Sequence, residues 1–286
     1  TPAGSAAERP VGWTSMSRRK TYWQSHLVLI IVSFLVLVPL YWVIKTSLTG
    51  ENLFQYPPSL IPEDPNIFYY VDVYYWIPFM RFFSNSVIVS AIVVASNIII
   101  NAMAGFALGY RFPGKRLVIL TYLSCMMIPF QATIIPAFLI TRNLGLLNSH
   151  LGLALPLMST IINIFVFKAA FDAVPRSLHD AARIDGMPDW KMLFRVYLPL
   201  GKAAIATNVI LTFVWSWNNF IWPLIIIQDR EMQTLPLGLA QFLSYFEDTS
   251  GQMYAFVIMV IAPIIVVFLM NQRSFVSGML KGAVKG

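Results

Sequence analysis

Neutral polar side chains stand inside otherwise apolar stretches of this sequence. They are Asn97, Asn101, Gln131, Asn163, Asn208, Asn218 and Asn219, with Trp215, Trp217 and Trp222 close to the last three. An amide donates and accepts hydrogen bonds without carrying charge, and an indole offers a flat apolar face with one donor. Together these groups suit the holding of a neutral polyol, which needs hydrogen bonds and apolar ring faces. Asn97, Asn101, Gln131, Trp215, Asn218 and Asn219 are therefore the candidates for a substrate path. The stretch around 215–223 leads, because Asn218, Asn219 and Pro223 fall together with aromatics. The same amides can equally bond helix to helix, and the sequence leaves both roles open.

Bond-breaking chemistry has no constellation here. His26, His150 and His179 are scattered, and the one cysteine, Cys125, sits in an apolar run without metal-ligand spacing. No metal site is expected. The phosphate-cradling pattern GxxxxGK[ST] is absent, so any energy from ATP must come through a partner. Proton- and ion-coupled carriers keep ionisable residues deep in their spans, and no paired carboxylate, lysine or histidine lies there. A stand-alone carrier coupled through backbone carbonyls at broken helices, or a channel, remains the alternative.

Charge is concentrated instead in PRSLHDAARIDGMPDWKMLFRVYLP, Pro175–Pro199, between two long apolar runs. Its pattern is helix, stop, helix. Pro175 suits a first helical position, Ala181 and Ala182 favour helix, and Gly186 fits a left-handed cap. Pro188 can open a second helix and Pro199 close it. Leu178, Ala181, Ala182 and Ile184 offer a small apolar surface for a helix-in-groove contact, and Asp180, Arg183 and Asp185 can set its register. Trp190, Leu193, Phe194 and Tyr197 follow the i, i+3, i+4, i+7 spacing of a face that packs back onto the spans.

The elements around this elbow are membrane spans. The chain is 57% hydrophobic and 12% charged, against about 25% charged in a soluble domain. Its mean hydropathy is +0.67. Apolar runs at 27–44, 83–108, 117–140, 151–171, 203–227 and 253–270 are each long enough to cross a bilayer. The expected fold is all-α, a polytopic membrane protein with six transmembrane helices. It divides into an N-terminal tail 1–25, a membrane-spanning body 26–271 with a connecting loop 172–202, and a C-terminal tail 272–286. Pro129 and Pro136 should kink or unwind the third span, and Pro263 should break the sixth. The small residues of NAMAGFALG, 101–109, fit close helix packing. The aromatics at 68–76, in a connection read as a loop, suit either the interface or a platform for sugars.

The net charge of +7 does not point to nucleic acid. Sixteen lysines and arginines fall in the tails and in the connections around 111–116 and 168–202, and only Lys45, Arg81, Arg142 and Arg230 fall in the others. By the positive-inside rule both termini and the elbow are cytoplasmic.

The spacing Asp180-Ala181-Ala182, three residues, Gly186, nine residues, Val196-Tyr197-Leu198-Pro199 resembles the EAA loop of the membrane subunits of ATP-binding-cassette importers. That loop reads Glu-Ala-Ala, three residues, Gly, nine residues, Ile-x-Leu-Pro. WNNFIWPLI in the fifth span and QRSFVSGMLKGAVKG at the C-terminus look like the carbohydrate-uptake branch, and within it the second permease of the pair. The resemblance covers nearly the whole chain; Asp180 for Glu and Val196 for Ile depart from the pattern. It implies a permease subunit that imports a sugar or related polyol delivered by an external solute-binding protein. It also implies a homologous second permease, two cytoplasmic ATPase subunits that carry ATP and Mg, and a place in the bacterial inner membrane. Leu178, Asp180, Ala181, Ala182, Arg183, Ile184, Asp185 and Gly186 would then form the coupling helix.

Overall fold

A computed structural model describes residues 19–50, 56–245 and 250–283, and all regular structure among them is helical. Fourteen helical segments follow in chain order: α1 Arg19–Leu48, α2 Phe68–Trp76, α3 Phe79–Ala107, α4 Lys115–Met126, α5 Phe130–Asn143, α6 His150–Ala154, α7 Ile161–Asp172, α8 Arg176–Ile184, α9 Asp189–Met192, α10 Leu198–Leu200, α11 Lys202–Trp217, α12 Ile221–Ile226, α13 Leu235–Tyr245 and α14 Ser250–Ala283. Three stretches, Trp23–Leu48, Phe79–Ala107 and Ser250–Val276, are long and apolar enough to cross a membrane alone. Three pairs meet that condition together across a bend: α4 with α5 at 99°, α6 with α7 at 58°, and the elbow's second half with α11 at 84°.

Helix α3 is the axis of the bundle, packed against α6, α7, α11 and α13. Its buried residues form one stripe from Phe79 to Phe106, and half of them are Asn, Ser or Gly: Asn85, Ser86, Ser90, Asn97, Asn101 and Gly105. Lipid is as apolar as leucine, so helices in it are held by close backbone approach and polar contacts more than by apolar burial. Apolar clusters sit at three levels of this axis. Phe79, Phe82, Trp217 and Phe256 mark one end, Val93, Leu153 and Trp222 the middle, and Ala102, Phe106, Phe167 and Tyr197 the elbow end.

By contrast, α1 is exposed continuously from Trp23 to Trp42, with burial confined to its last turns where it meets α14. Twenty residues at ~1.5 Å each span ~30 Å, and a helix apolar on all sides, as this one is from Leu27 to Trp42 apart from Ser33, belongs in hydrocarbon.

The proline expectations hold in part. Chain direction changes at Pro129, whose extended backbone separates α4 from α5, but Pro136 lies inside α5 without breaking it. Pro263 likewise lies inside an unbroken 34-residue α14. Membrane helices tolerate such prolines; the carbonyl that Pro263 leaves without a ladder donor is that of Met259, and in the same turn Trp217 Nε1 donates to the Val260 carbonyl 3.0 Å away, tying α11 to α14.

Other boundaries shift. Helix α14 runs through 272–283, read above as a tail, and α1 begins at Arg19 rather than near residue 27; residues 1–18 lie outside the described residues. The connections read as loops contain α2 and α13, folded onto the first apolar cluster through Val73, Leu235 and Phe242. The fifth span is interrupted at 218–220, between α11 and α12.

Gly105 tests the close packing expected of NAMAGFALG. A Cβ there would stand 2.9 Å from the Ile164 carbonyl oxygen, the Lys168 nitrogen and Phe167 Cβ. Two of these atoms are backbone and cannot step aside. Gly105→Leu is expected to cost about 1–3 kcal/mol by overpacking, read as a lower melting temperature in detergent, whereas Met103→Leu on the exposed side of the same helix should leave it unchanged.

Candidate functional site

The elbow begins as the chain leaves α7. Pro175, at φ −57° and ψ 132°, precedes the nine residues of α8. Gly186, at φ +70°, stops it in a Schellman motif: its N–H donates to the Arg183 carbonyl at 3.0 Å, and Met187 N–H donates to the Ala182 carbonyl at 2.9 Å. Only a residue without Cβ adopts that backbone at little cost, so the glycine read from spacing is the stop itself.

Helix α8 has two faces. Ala182 is buried with Phe106, Phe171, Met192 and Tyr197, and His179 Nδ1 lies 3.0 Å from the Tyr197 hydroxyl. On the other side Asp180, Ala181 and Ile184 are exposed, Ile184 to 86%, with Leu178, Arg183 and Asp185 at the edges. Of the four residues expected to form one apolar surface, Ala182 therefore belongs to the seat, and the free surface is Leu178, Ala181 and Ile184.

The second half departs from the expectation. Pro199 does not close it; α9 continues through a π-turn, Leu193–Tyr197, into α10, and the chain turns at Gly201. The wide π-turn accommodates a proline that lacks an N–H for the ladder. It also rotates the helix face. Met192, Leu193 and Tyr197 are buried, while Trp190 and Phe194 are 63% and 48% exposed. The regular 3.6 spacing therefore picked the wrong partners for Leu193 and Tyr197.

Three rings fasten the elbow to the bundle. Tyr197 meets Phe106 of α3 edge-on at 4.8 Å and Phe171 of α7 at 5.5 Å, and those two rings lie 6.3 Å apart. Beyond them Tyr110 donates to Asp189 Oδ1 at 3.1 Å, and Arg183 lies over its ring at 5.9 Å. Burial, the Asp189 bond and the Asp189 charge push the Tyr110 pKa up to about 12. Burial first, then Asp180 and Asp172, raise that of Tyr197. Both hydroxyls stay protonated donors at neutral pH.

The substrate-path candidates separate. Asn97 and Asn101 are fully buried. The Asn97 amide nitrogen donates to the Val93 and Leu157 carbonyls at 3.0 and 2.7 Å. Its oxygen accepts from Asn101, Thr160 and Asn163 at 2.8, 3.2 and 3.3 Å. Ser159 donates to Asn101 at 2.7 Å, and Asn163 donates to Thr212 at 2.9 Å. This network ties α3, α7 and α11 together, so these two asparagines join helices and present no open surface. Asn208, one turn from Thr212, is also fully buried, and its amide has no partner among the described residues.

Gln131, Trp215 and Asn218 are exposed, and Asn219 is half-buried. Asn219 Oδ1 accepts from Trp222 N–H at 3.2 Å at the start of α12, where the fifth span is interrupted. Among the described residues no hydrogen bond joins Gln131 to Trp215, Asn218 or Asn219, although its neighbour Phe130 meets Trp222 of α12 edge-on at 6.4 Å. Sequence reasoning also missed a polar hub at the far end of α3. Asn85 donates to the Glu231 and Gln233 carbonyls at 2.7 and 2.9 Å, and its oxygen lies 2.9 Å from His150 Nε2. Its signal was one more asparagine in a span, with nothing in sequence to name its partners.

Residues 98–275, more than half of the chain, match the family described as binding-protein-dependent transport system inner membrane component. The arabinooligosaccharides transport system permease protein AraQ of Halalkalibacterium halodurans is 35% identical over 233 residues, 81% of this chain and 82% of that one. The lactose transport system permease protein LacG of Rhizobium radiobacter is 31% identical, covering 95% and 99%. The sn-glycerol-3-phosphate transport system permease protein UgpE of Brucella abortus is 30% identical, covering 90% and 95%. In structure the chain is similar to one from a bacterial ABC transporter involved in the import of the acidic polysaccharide alginate, with a TM-score of 0.77, 25% identity, and 92% and 99% of the two chains covered.

Replacing Asn97 by leucine would leave the Leu157 carbonyl without this donor and take one shared acceptor from Asn101, Thr160 and Asn163. Buried groups left unpaired cost about 1–3 kcal/mol each, so Asn97→Leu should lower the melting temperature clearly. Gln131→Ala, at an exposed position, should change stability by no more than ~0.5 kcal/mol.

Proposed function

The chain belongs to the binding-protein-dependent transport system inner membrane component family as a membrane-spanning permease subunit of an ABC importer, and from that premise we propose its cargo, its coupling element and its orientation. The cargo is a sugar or related polyol handed over by an external solute-binding protein. Three relatives named as permease proteins of arabinooligosaccharide, lactose and sn-glycerol-3-phosphate transport systems support this reading. So do the neutral amides and indole at the interruption of the fifth span, Trp215, Asn218 and Asn219. The chain works in the bacterial inner membrane beside a homologous second permease and two ATPase subunits, which carry ATP and Mg. The lysine and arginine distribution puts the elbow and both termini in the cytoplasm.

One observation carries the coupling role. Helix α8 is held by one face and free on the other, with the Asp180–Pro199 pattern running through it. The free face, Leu178, Asp180, Ala181 and Ile184, docks in a groove of the ATPase, with Arg183 and Asp185 fixing register by charge. ATP closure of the ATPases moves this helix, and the seat passes the motion to α3 and α7. Because ATP can shift the transporter only by favouring one state over the other, the outward-open state must be the one the closed ATPase pair binds better.

Gly186→Val tests the coupling role. A β-branched residue at φ +70° is strained by roughly 1–2 kcal/mol, enough to displace the cap that aims α8. Uptake in cells should fall about tenfold or more with the chain still inserted in the membrane. Uptake at the original rate would show that α8 does not couple. In mild detergent the intact chain should co-purify with an ATPase subunit; recovery of the chain alone as a working carrier would contradict the proposal.

A further inference from the structure

On the side of the elbow facing the bundle, a half-open cavity of about 670 Å³ lies between the turn after α3, the end of α7 and α8. Its size falls in the range of sites that take small ligands, roughly 300–1,000 Å³. Its walls are unbalanced in charge: Arg111, Lys115, Lys168, Arg176 and Arg183 face only Asp172 and Asp180. Lys168 is paired with Asp172 within α7. Lys115 donates to the Tyr110 carbonyl at 3.1 Å, which leaves its charge uncompensated. Arg111 and Arg176 have no carboxylate within ion-pair distance among the described residues, and Arg183 has only the Tyr110 ring beneath it. Phe106, Phe171 and Val174 supply an apolar wall.

Like charges crowded into one cavity repel unless an anion is held among them. Guanidinium groups are matched to phosphate oxygens, taking two at once with paired N–H donors. The geometry points to a phosphate-binding site in this cavity, with Arg111 and Arg176 as the principal contacts. Its ligand is a phosphate group that is either free in the cytoplasm or the headgroup of an anionic phospholipid, since basic pockets beside spans on that side take such headgroups. The apolar wall fits the carbon portion of a phospholipid. A ligand there bridges α8 to the end of α3 and would hold the elbow against the bundle, setting how freely α8 moves. The site shares no residue with the proposed cargo path, so it stands or falls separately from the identity of the cargo, though its cytoplasmic ligand rests on the proposed orientation.

The test uses the full chain with its co-purifying subunits in nanodiscs. One arm titrates inorganic phosphate in phosphatidylcholine discs and follows the melting temperature. The other incorporates phosphatidylglycerol and counts retained lipid by native mass spectrometry. The double variant Arg111→Gln/Arg176→Gln removes the two principal contacts and leaves Arg183, which lies over the Tyr110 ring, in place. Arg116→Gln/Arg273→Gln, which removes the same two charges outside the cavity, is the control. The expected result is binding in at least one arm that weakens about tenfold or more in the double variant and is unchanged in the control. Loss in the phosphate arm assigns a soluble ligand, and loss in the lipid arm a headgroup. Equal behaviour of the double variant and wild type in both arms, or no binding to wild type in either, overturns the site. Loss of the ATPase subunit from the double variant also overturns it, because the cationic wall would then be a protein seat.

Discussion

Tyr197 pressed between Phe106 and Phe171 is the contact on which the rest of this structure depends. Edge-to-face ring pairs at 4.8 and 5.5 Å contribute about 0.5–1.5 kcal/mol each beyond their area, and they join an extramembrane elbow to two separate bundle helices. Gly201, at the turn into α11, has Phe171 and the Tyr197 carbonyl 3.1 and 3.0 Å from where a Cβ would stand, so the seat is filled on that side too. A helix attached through a packed seat passes on displacement, whereas a solvated connector would absorb it. His179 to Tyr197, at 3.0 Å, ties the first half of the elbow to the second, so α8 and the π-turn share the Tyr197 ring as one bearing point on the bundle.

Above this seat the bundle relies on amides. Asn97 bonds α3 to the α6–α7 region, and through Asn163 the network reaches Thr212 of α11. These helices are also the ones that the seat and the apolar cluster around it hold. Displacement entering at Tyr197 therefore reaches the same three helices at two depths. The unpartnered Asn208 lies within this layer.

Much of the elbow was legible in the sequence, because its signals are local. A glycine between two helix-forming stretches became a left-handed cap, and Pro188 leads into the second helix. The all-helical class and the six apolar runs rest on span length, which lipid thickness dictates. Illegible features depend on neighbours. Pro129 and Pro263 look alike in sequence, yet one stands at the bend between two helices and the other lies inside an unbroken one, and nothing local to either proline distinguishes them. The π-turn has no local pattern, and one extra residue in a turn moved Trp190 and Phe194 out of the packed face. Ala181 and Ala182 are chemically identical; only the position of the seat decides which is buried. An asparagine in a span carries no mark of whether it faces cargo or another helix, and Asn97 and Asn218 proved to lie in opposite settings.

The difference between Ala181 and Ala182 gives the most direct test of the elbow as the coupling element. In a Cys125→Ser background, Ala181→Cys and Ala182→Cys place a thiol on the free and seated faces of the same turn. Short bifunctional crosslinkers are then applied to the assembled complex with and without ATP. Coupling through the free face predicts that Ala181→Cys crosslinks to the ATPase subunit with a yield that changes on ATP binding, and that Ala182→Cys does not. Equal yields at both positions, or no crosslink from the free face in either state, would contradict the account.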